Sequence, residues 1–278
     1  MAIFENSMSR YLTLLLLIVF FSSCASKLSK TMKSTDSDYK LKVAENYYAQ
    51  KKYNNAQVIF EDLLPVFKGT PKFEDVYYKY AYSAFYLNDY ANAENLFKTF
   101  VETFPASHKV EEADYMRALC FYKQSPKAEL DQTNTTKAMG QMQVFINNHP
   151  QSPKVAEATA IIDESRAKLE VKDFKSADLY YNLGFYKAAA IAFSALIDNY
   201  PDSNKGDEYK LMVIKSYYLY AHNSVEERQP ERYDKVITEC TDFLDRFPQS
   251  KLAKTVEYYR TESSNNIKSK NEQIKKAA

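Results

Sequence analysis

Residues 74–107, EDVYYKYAYSAFYLNDYANAENLFKTFVETFPAS, hold the pattern that decides the fold. Ala81 and Ala93 are small side chains, and each lets its helix approach a partner closely. The larger rings of Tyr90 and Phe97 then fill the space between the two helices. This stretch therefore predicts two antiparallel helices joined by a short turn.

Breaks in the helical pattern mark the turn and the end of this unit. Asn88-Asp89 favours a turn, because short polar side chains hydrogen-bond their own backbone. Pro105 cannot continue a helix, and Ser107 is placed to cap the next one. The same closing phrase, an aromatic residue or histidine followed by Pro, any residue and Ser, occurs at residues 104–107, 149–152, 200–203 and 247–250. These copies predict a stack of helix pairs.

The unit resembles the tetratricopeptide repeat, a helix–turn–helix motif of 34 residues. The resemblance implies an all-α solenoid of about five helix pairs with a C-terminal capping helix. A long loop at about 124–135 interrupts the third repeat, an extra or merged helix at 153–172 leads into the fourth, and an insert at 223–232 lies in the fifth. The predicted divisions are N-terminal repeats 1–3 at 38–150, C-terminal repeats 4–5 at 151–250, and a capping helix with a basic tail at 251–278.

The composition is that of a soluble folded chain. Its 278 residues are 45% hydrophobic and 26% charged, enough for a sizeable core and a polar surface. A net charge of +1 provides no concentrated positive field, so nucleic acid is not an expected partner. The 24 Tyr and 17 Phe exceed what core filling alone requires.

The first 23 residues are predicted to be a lipoprotein signal peptide, with translation starting at Met1 or Met8. The apolar run at residues 12–21 is too short to span a bilayer but has the length of a signal-peptide core. Residues 21–24, Phe-Ser-Ser-Cys, resemble the lipobox of bacterial lipoproteins. That resemblance implies that Cys24 is acylated and that residues 24–37 form a tether. An ordinary secretory signal with a coincidental cysteine is the alternative.

Rings are concentrated on the first helices of the repeats. Two aromatic faces on one helix exceed what packing against a partner helix needs. These rings either contact neighbouring repeats or line a groove for extended or aromatic-ended peptides, where rigid rings provide contact area at low entropic cost. The residues predicted to bind peptide are Tyr48, Tyr78, Tyr82, Phe85, Tyr86, Tyr115 and Tyr122.

No pattern in the sequence points to catalysis. Cys120 and Cys240 are interpreted as small buried residues, in repeats too far apart for a disulfide. The three histidines are isolated, and neither metal-ligand spacing nor a nucleophile–base arrangement is found. We therefore predict no enzyme, no metal site and no cofactor.

Taken together, the lipobox, the helix pairs, their closures and the final helix make the mature chain similar to the BamD (YfiO) family of outer-membrane assembly lipoproteins. Tyr115-Met116-Arg117-Ala118 and residues 200–203 look like segments of that family. The resemblance implies an outer-membrane lipoprotein that faces the periplasm and acts as a scaffold of the β-barrel assembly machinery. The C-terminal repeats would dock on the POTRA domains of a BamA-like barrel subunit, and the N-terminal repeats would recognise unfolded outer-membrane proteins.

Other function classes stay open beside this one. A periplasmic repeat lipoprotein could bind glycan or peptidoglycan, or coordinate division of the cell envelope, without a barrel partner. The lack of Trp, the usual sugar-stacking side chain, argues against glycans.

Overall fold

The computed structural model describes residues 27–277, with side chains described as far as residue 272. Within that range the regular structure is helical and contains no strand. A short helix at residues 27–32 comes first. The α-helices that follow it, in chain order, are α1 (Ser37–Ala49), α2 (Tyr53–Phe67), α3 (Phe73–Tyr86), α4 (Tyr90–Thr103), α5 (Val110–Lys123), α6 (Thr133–Asn148), α7 (Val155–Asn182), α8 (Tyr186–Asn199), α9 (Gly206–His222), α10 (Gln229–Arg246) and α11 (Ala253–Ala277). The predicted all-α tetratricopeptide-repeat fold is confirmed.

Turns within the helix pairs depend on single residues in the left-handed backbone region. Asn88 has φ 62° between α3 and α4, and Gly184 has φ 80° between α7 and α8. Asn tolerates this conformation through local hydrogen bonds of its side chain, and Gly through its lack of a Cβ atom. The predicted turn at Asn88-Asp89 is therefore present.

Each of the four Pro-x-Ser closures ties its helix pair together through the serine. The serine hydroxyl accepts a hydrogen bond from the backbone N–H two residues further on. It also donates to a carboxylate on the first helix of the pair that it closes: Ser107 to Glu74 (2.8 Å), Ser152 to Glu111 (2.5 Å), Ser203 to Glu170 (2.5 Å) and Ser250 to Asp207 (2.6 Å). The closure serines thus stabilise the turn before the next helix and hold the completed pair together. The predicted cap of the next helix by Ser107 is absent, because the N-cap of α5 is Lys109 and no side chain caps that helix.

The chain divides into two compact units. The first contains the chain up to Pro126 together with Thr133–Asp163, and the second contains Lys127–Gln132 and Glu164–Ala278. The boundary differs from the predicted one at 150/151, because the extra helix and the first helix of the fourth repeat are merged into α7. In the second unit, Lys172 Nζ on α7 donates to the Leu130 carbonyl (2.6 Å), which joins the loop to that helix.

Each unit has its own apolar core. In the first unit, completely buried rings alternate with small residues at the helix contacts, among them Phe60, Phe97, Phe100, Ala81 and Ala93. In the second unit the same arrangement is formed by residues such as Ala177, Phe193, Val236 and Phe243. The small residues of the repeat template and its second ring position, occupied by Phe60, Phe97 and Phe193, are therefore core positions.

Three segments differ from expectation. Residues 27–32, within the predicted tether, are helical, and Leu28 and Met32 pack against the core of the first repeat. The insert of the fifth repeat is shorter than predicted, because α10 already begins at Gln229, with Pro230 in the first turn where a missing N–H costs nothing. The predicted basic tail continues the capping helix as far as Ala277. Cys24 and the signal peptide lie outside the described residues.

Candidate functional site

The first unit carries a cluster of rings on α1, α2 and α3, which we call the aromatic face: Tyr48, Tyr53, Tyr78, Tyr82, Phe85 and Tyr86. Tyr78, Tyr82 and Tyr86 follow one another at i, i+4 spacing on α3, so they lie on one side of that helix. The ring centroids of Tyr53 and Tyr86 are 4.4 Å apart in a stacked pair. Tyr48 completes the arrangement, with its ring edge-on to Tyr53 at a centroid distance of 5.5 Å.

Tyr86 is the most exposed ring of this face, with 45% of its surface accessible. Tyr53 and Tyr48 are half-buried beneath it. Because stacking on Tyr53 restricts the side chain of Tyr86, the exposed ring is held in place before any ligand arrives. Such a ring provides contact area with little further loss of side-chain entropy.

Two residues predicted to contact peptide are instead buried. Tyr82 is 8% exposed, and its hydroxyl donates to Glu112 Oε1 at 2.6 Å. Tyr115 is 2% exposed, because its position on α5 faces the second helix of its own pair, where it meets Phe145 at 5.4 Å. The prediction that these two rings face a groove is therefore wrong, and both are structural.

The other predicted residues occupy intermediate positions. Phe85 is half-buried and contacts the rings of Tyr90 (5.3 Å) and Tyr86 (5.9 Å). Tyr78 and Tyr122 are half-buried against the core of the first unit. The structure therefore brings Tyr48, Tyr78, Phe85 and Tyr86 together and leaves Tyr122 outside the aromatic face.

Sequence reasoning missed Tyr53 as a member of this face. Tyr53 is the first residue of α2, at the same template position as Tyr90 and Tyr186. That shared position is the signal that could have found it, because a ring there packs back on the last turn of the preceding helix. Tyr90 contacts Phe85 and Tyr186 contacts Tyr181 in the same way.

Ion pairs link successive repeats of the first unit, at or just before their first helices. They are Lys72–Asp38 (2.6 Å), Lys79–Glu45 (2.7 Å), Lys109–Asp75 (3.0 Å) and Lys154–Glu112 (3.6 Å). Burial opposes ionisation of Asp75, but hydrogen bonds from Lys79 and Lys109 outweigh it and lower the pKa of that carboxyl. The first three pairs join residues 34 positions apart, so the charges repeat with the length of one repeat.

Burial favours the neutral form of two tyrosine hydroxyls of this face, those of Tyr48 and Tyr82. Burial, followed by the neighbouring Tyr86, raises the pKa of Tyr48. Burial and the hydrogen bond to Glu112 raise the pKa of Tyr82. The face therefore combines apolar ring surface with phenolic hydroxyl groups, a chemistry suited to binding.

Groups for other chemistry are not assembled in residues 27–272. No set of His, Cys, Asp and Glu in this part of the chain is grouped to hold a metal ion. Cys120 and Cys240 are free, buried thiols, and burial raises the pKa of each to about 12. Among the described helices, none has both the length and the apolar character needed to cross a bilayer.

Comparisons with known proteins add the following relationships. The sequence model of the family described as "YfiO: Outer membrane lipoprotein" matches residues 34–231. A search of curated protein sequences gave no match. One similar solved structure is the TPR2AB-domain:pHSP90 complex of yeast Sti1, which is 12% identical, with 82% of this chain and 98% of that chain covered and a TM-score of 0.38.

A second similar structure is the thermophilic tetratricopeptide-repeat protein TTC0263 of Thermus thermophilus. It is 14% identical, with 84% of this chain and 99% of that chain covered and a TM-score of 0.32.

Proposed function

The chain belongs to the YfiO family of outer membrane lipoproteins, and from this premise we propose that it is a non-catalytic scaffold of the machinery that assembles β-barrel proteins. Acyl chains on Cys24 anchor it to the outer membrane, and its helical units face the periplasm. Its partners are unfolded outer-membrane proteins and a BamA-like barrel subunit.

The first unit holds the clients through the aromatic face. The observation that carries this proposal is the stacked pair Tyr53–Tyr86, whose outer ring is 45% exposed and fixed in position. An extended client segment that ends in an aromatic residue places its own ring against Tyr86. Tyr82 is the buried member of this face, held by its hydrogen bond to Glu112, and does not contact the client.

A binding experiment on the purified mature chain tests this role. The probe is a fluorescein-labelled peptide of alternating apolar and polar residues that ends in Phe, and its fluorescence anisotropy reports binding. The double substitution Tyr53→Ala and Tyr86→Ala is expected to raise the Kd about ten-fold or more, as removal of a central aromatic anchor does. The matched control is Tyr258→Ala, because Tyr258 lies in the second unit and is 58% exposed.

The control variant should bind the peptide as the unmodified chain does. A folded double variant with unchanged affinity would exclude the aromatic face as the client site. A probe ending in Ala should bind more weakly, since it lacks the ring that contacts Tyr86.

The second unit docks on the POTRA domains of the barrel subunit. Support comes from apolar side chains at the end of α7 and the start of α8: Leu179 and Leu183 are each 58% exposed, and Phe185 is 59% exposed. Clustered exposed apolar residues are typical of interaction surfaces. Leu183→Ser should reduce recovery of purified POTRA domains in a pull-down, and Val225→Ser, at an exposed position elsewhere in that unit, should not.

A further inference from the structure

The second unit contains an open pocket of about 550 Å³ between α8, α9 and the start of α10. Two rings of α9, Tyr217 and Tyr220, line its wall. Four basic side chains also line it: Lys187, Arg228, Arg232 and Lys235. The volume lies in the range of ligand-binding pockets, and the basic lining points to an anionic ligand.

Arg232 is held ready for such a ligand. Its guanidinium lies 4.1 Å from the centroid of the Tyr220 ring, and its Nη1 donates to the Ser224 hydroxyl. The contact with the ring and the hydrogen bond together restrict the position of the guanidinium. The donor edge that Ser224 leaves unused can bind a carboxylate in the bidentate geometry that arginine favours.

Lys235 is held in place by an ion pair and a ring contact. Its Nζ lies 2.7 Å from Glu239, and it lies 5.7 Å above the Tyr217 ring. The Glu239 carboxylate also accepts from the buried Lys210, which pairs with Asp242 as well. Lys235 is therefore held at the wall of the pocket by an ion pair, and the less compensated positive charges of the lining are those of Lys187, Arg228 and Arg232.

Lys187 and Arg228 add charge with little compensation. Lys187 is exposed and makes no ion pair with any of the residues that the structure describes. Arg228 pairs with Glu231 at 3.3 Å, but both side chains are more than half exposed, where such pairs are weak. The positive end of the α10 dipole lies at the same place.

The acidic residues of the lining determine which anion fits. Glu231 and Asp234 stand among the four basic side chains, so the pocket carries an excess of two positive charges, from four minus two. A compact, multiply charged ion would be repelled by these carboxylates. An extended chain with separated single charges can place its carboxylates on the basic groups and its backbone N–H groups near Glu231 and Asp234.

We infer that this pocket binds an acidic peptide segment of a partner protein, with one carboxylate on Arg232 and the rest of the segment along Tyr217 and Lys187. The inference does not depend on the aromatic face of the first unit. Substitutions in the pocket should therefore leave binding of the Phe-ended client peptide unchanged, which separates failure of this inference from failure of the proposed client site.

Fluorescence anisotropy with the mature chain tests the inference. The probe is a labelled octapeptide of alternating Glu and Gly, and the reference is the same peptide with Gln in place of Glu. We expect the acidic peptide to bind at least about ten-fold more tightly than the neutral one, with an affinity that falls as salt is raised. Lys187→Gln and Arg232→Gln should each raise the Kd of the acidic peptide about ten-fold, since each removes a charged hydrogen bond.

The matched control is Lys254→Gln, which removes the same charge from an exposed position on α11 outside the pocket. It should change the Kd less than about two-fold, in line with a screened surface charge. Lys187 is exposed, so Lys187→Gln remains informative even if loss of the Arg232 stack disturbs folding. Equal binding of the two peptides, or equal effects of Lys187→Gln and Lys254→Gln, would overturn the inference. Displacement of the peptide by inorganic phosphate at the same concentration as unlabelled peptide would also overturn it.

Discussion

Lys210 shows how single residues hold the second unit together. Its side chain is 7% exposed and pairs with Glu239, which is 12% exposed, and with Asp242 at the surface. Burial opposes ionisation of Glu239, but hydrogen bonds from Lys210 and Lys235 outweigh it and lower the pKa of that carboxyl. A group whose pKa is lower in the folded state stabilises the fold above its unfolded-state pKa. That stabilisation is lost as the pH falls through the folded-state pKa.

Replacing the lysine should therefore have an effect that depends on pH. We expect Lys210→Met to lower the free energy of unfolding by about 2 kcal/mol at pH 7, because it leaves Glu239 buried with one partner fewer. The difference from the unmodified chain should shrink as the pH falls through the lowered folded-state pKa of Glu239, where this carboxyl becomes protonated in the folded protein. Urea denaturation at several pH values measures this.

The control for this prediction is Lys98→Met. Lys98 and Glu102 are 4.0 Å apart and both largely exposed, so this substitution should cost little at any pH. A pH-independent loss in Lys210→Met would contradict the electrostatic explanation and assign the effect to packing alone.

At the scale of helices, the repeat template predicted most boundaries. The Pro-x-Ser closures, the Asn88-Asp89 turn and the long loop before α6 follow from backbone chemistry that acts over a few residues, which a sequence displays directly. The sequence predicts either an extra helix or a merged helix at residues 153–172, and the structure has the merged helix, α7. The length of α11 was not, because its lysine-rich end lacks the apolar spacing by which a helix is recognised.

The candidate site was only partly predictable, for a related reason. Helical spacing placed Tyr78, Tyr82 and Tyr86 on one side of α3, and they do lie together. The spacing of residues within one helix does not show which side chains of the next repeat contact a ring. Tyr82 is an example, because Glu112 of α5 accepts a hydrogen bond from its hydroxyl. The predicted position of Tyr115, on the groove side of α5, is wrong. On a helix, neighbouring positions in the sequence lie on different sides, so an error of one position turns a buried residue into an exposed one.

The turn between α7 and α8 gives a test at this scale. Gly184→Ala should destabilise the protein by about 1 kcal/mol, because φ 80° is unfavourable for a residue with a Cβ atom, although space for that atom is available. Thermal denaturation measures the change. Gly140→Ala is the opposite control: Gly140 lies inside α6 with open space around it, so the substitution should stabilise by about 0.5–1 kcal/mol. Destabilisation by both would refute this backbone argument.

At the scale of the whole molecule, the proposed role needs an anchor as well as a binding face. More than one acyl chain is required for stable attachment to a membrane. Cys24→Ala should therefore move the protein from the outer-membrane fraction to the soluble periplasmic fraction, or leave it as unprocessed precursor. Cell fractionation followed by immunoblotting measures this. Cys240→Ala, at a buried thiol of α10, should remain with the membrane.

A Cys24→Ala protein that still fractionates with the outer membrane would exclude acylation as the means of attachment. The helical units would then have to reach the membrane through a partner.

The central claim is that the exposed ring of the aromatic face meets unfolded outer-membrane proteins in the cell. A photo-reactive phenylalanine derivative placed at Tyr86 tests this most directly, with the same derivative at Tyr258 as the control. We predict light-dependent adducts with newly synthesised outer-membrane proteins from position 86 and none from position 258. Absence of such adducts from position 86 in a correctly localised protein, or equal adducts from both positions, would contradict the claim.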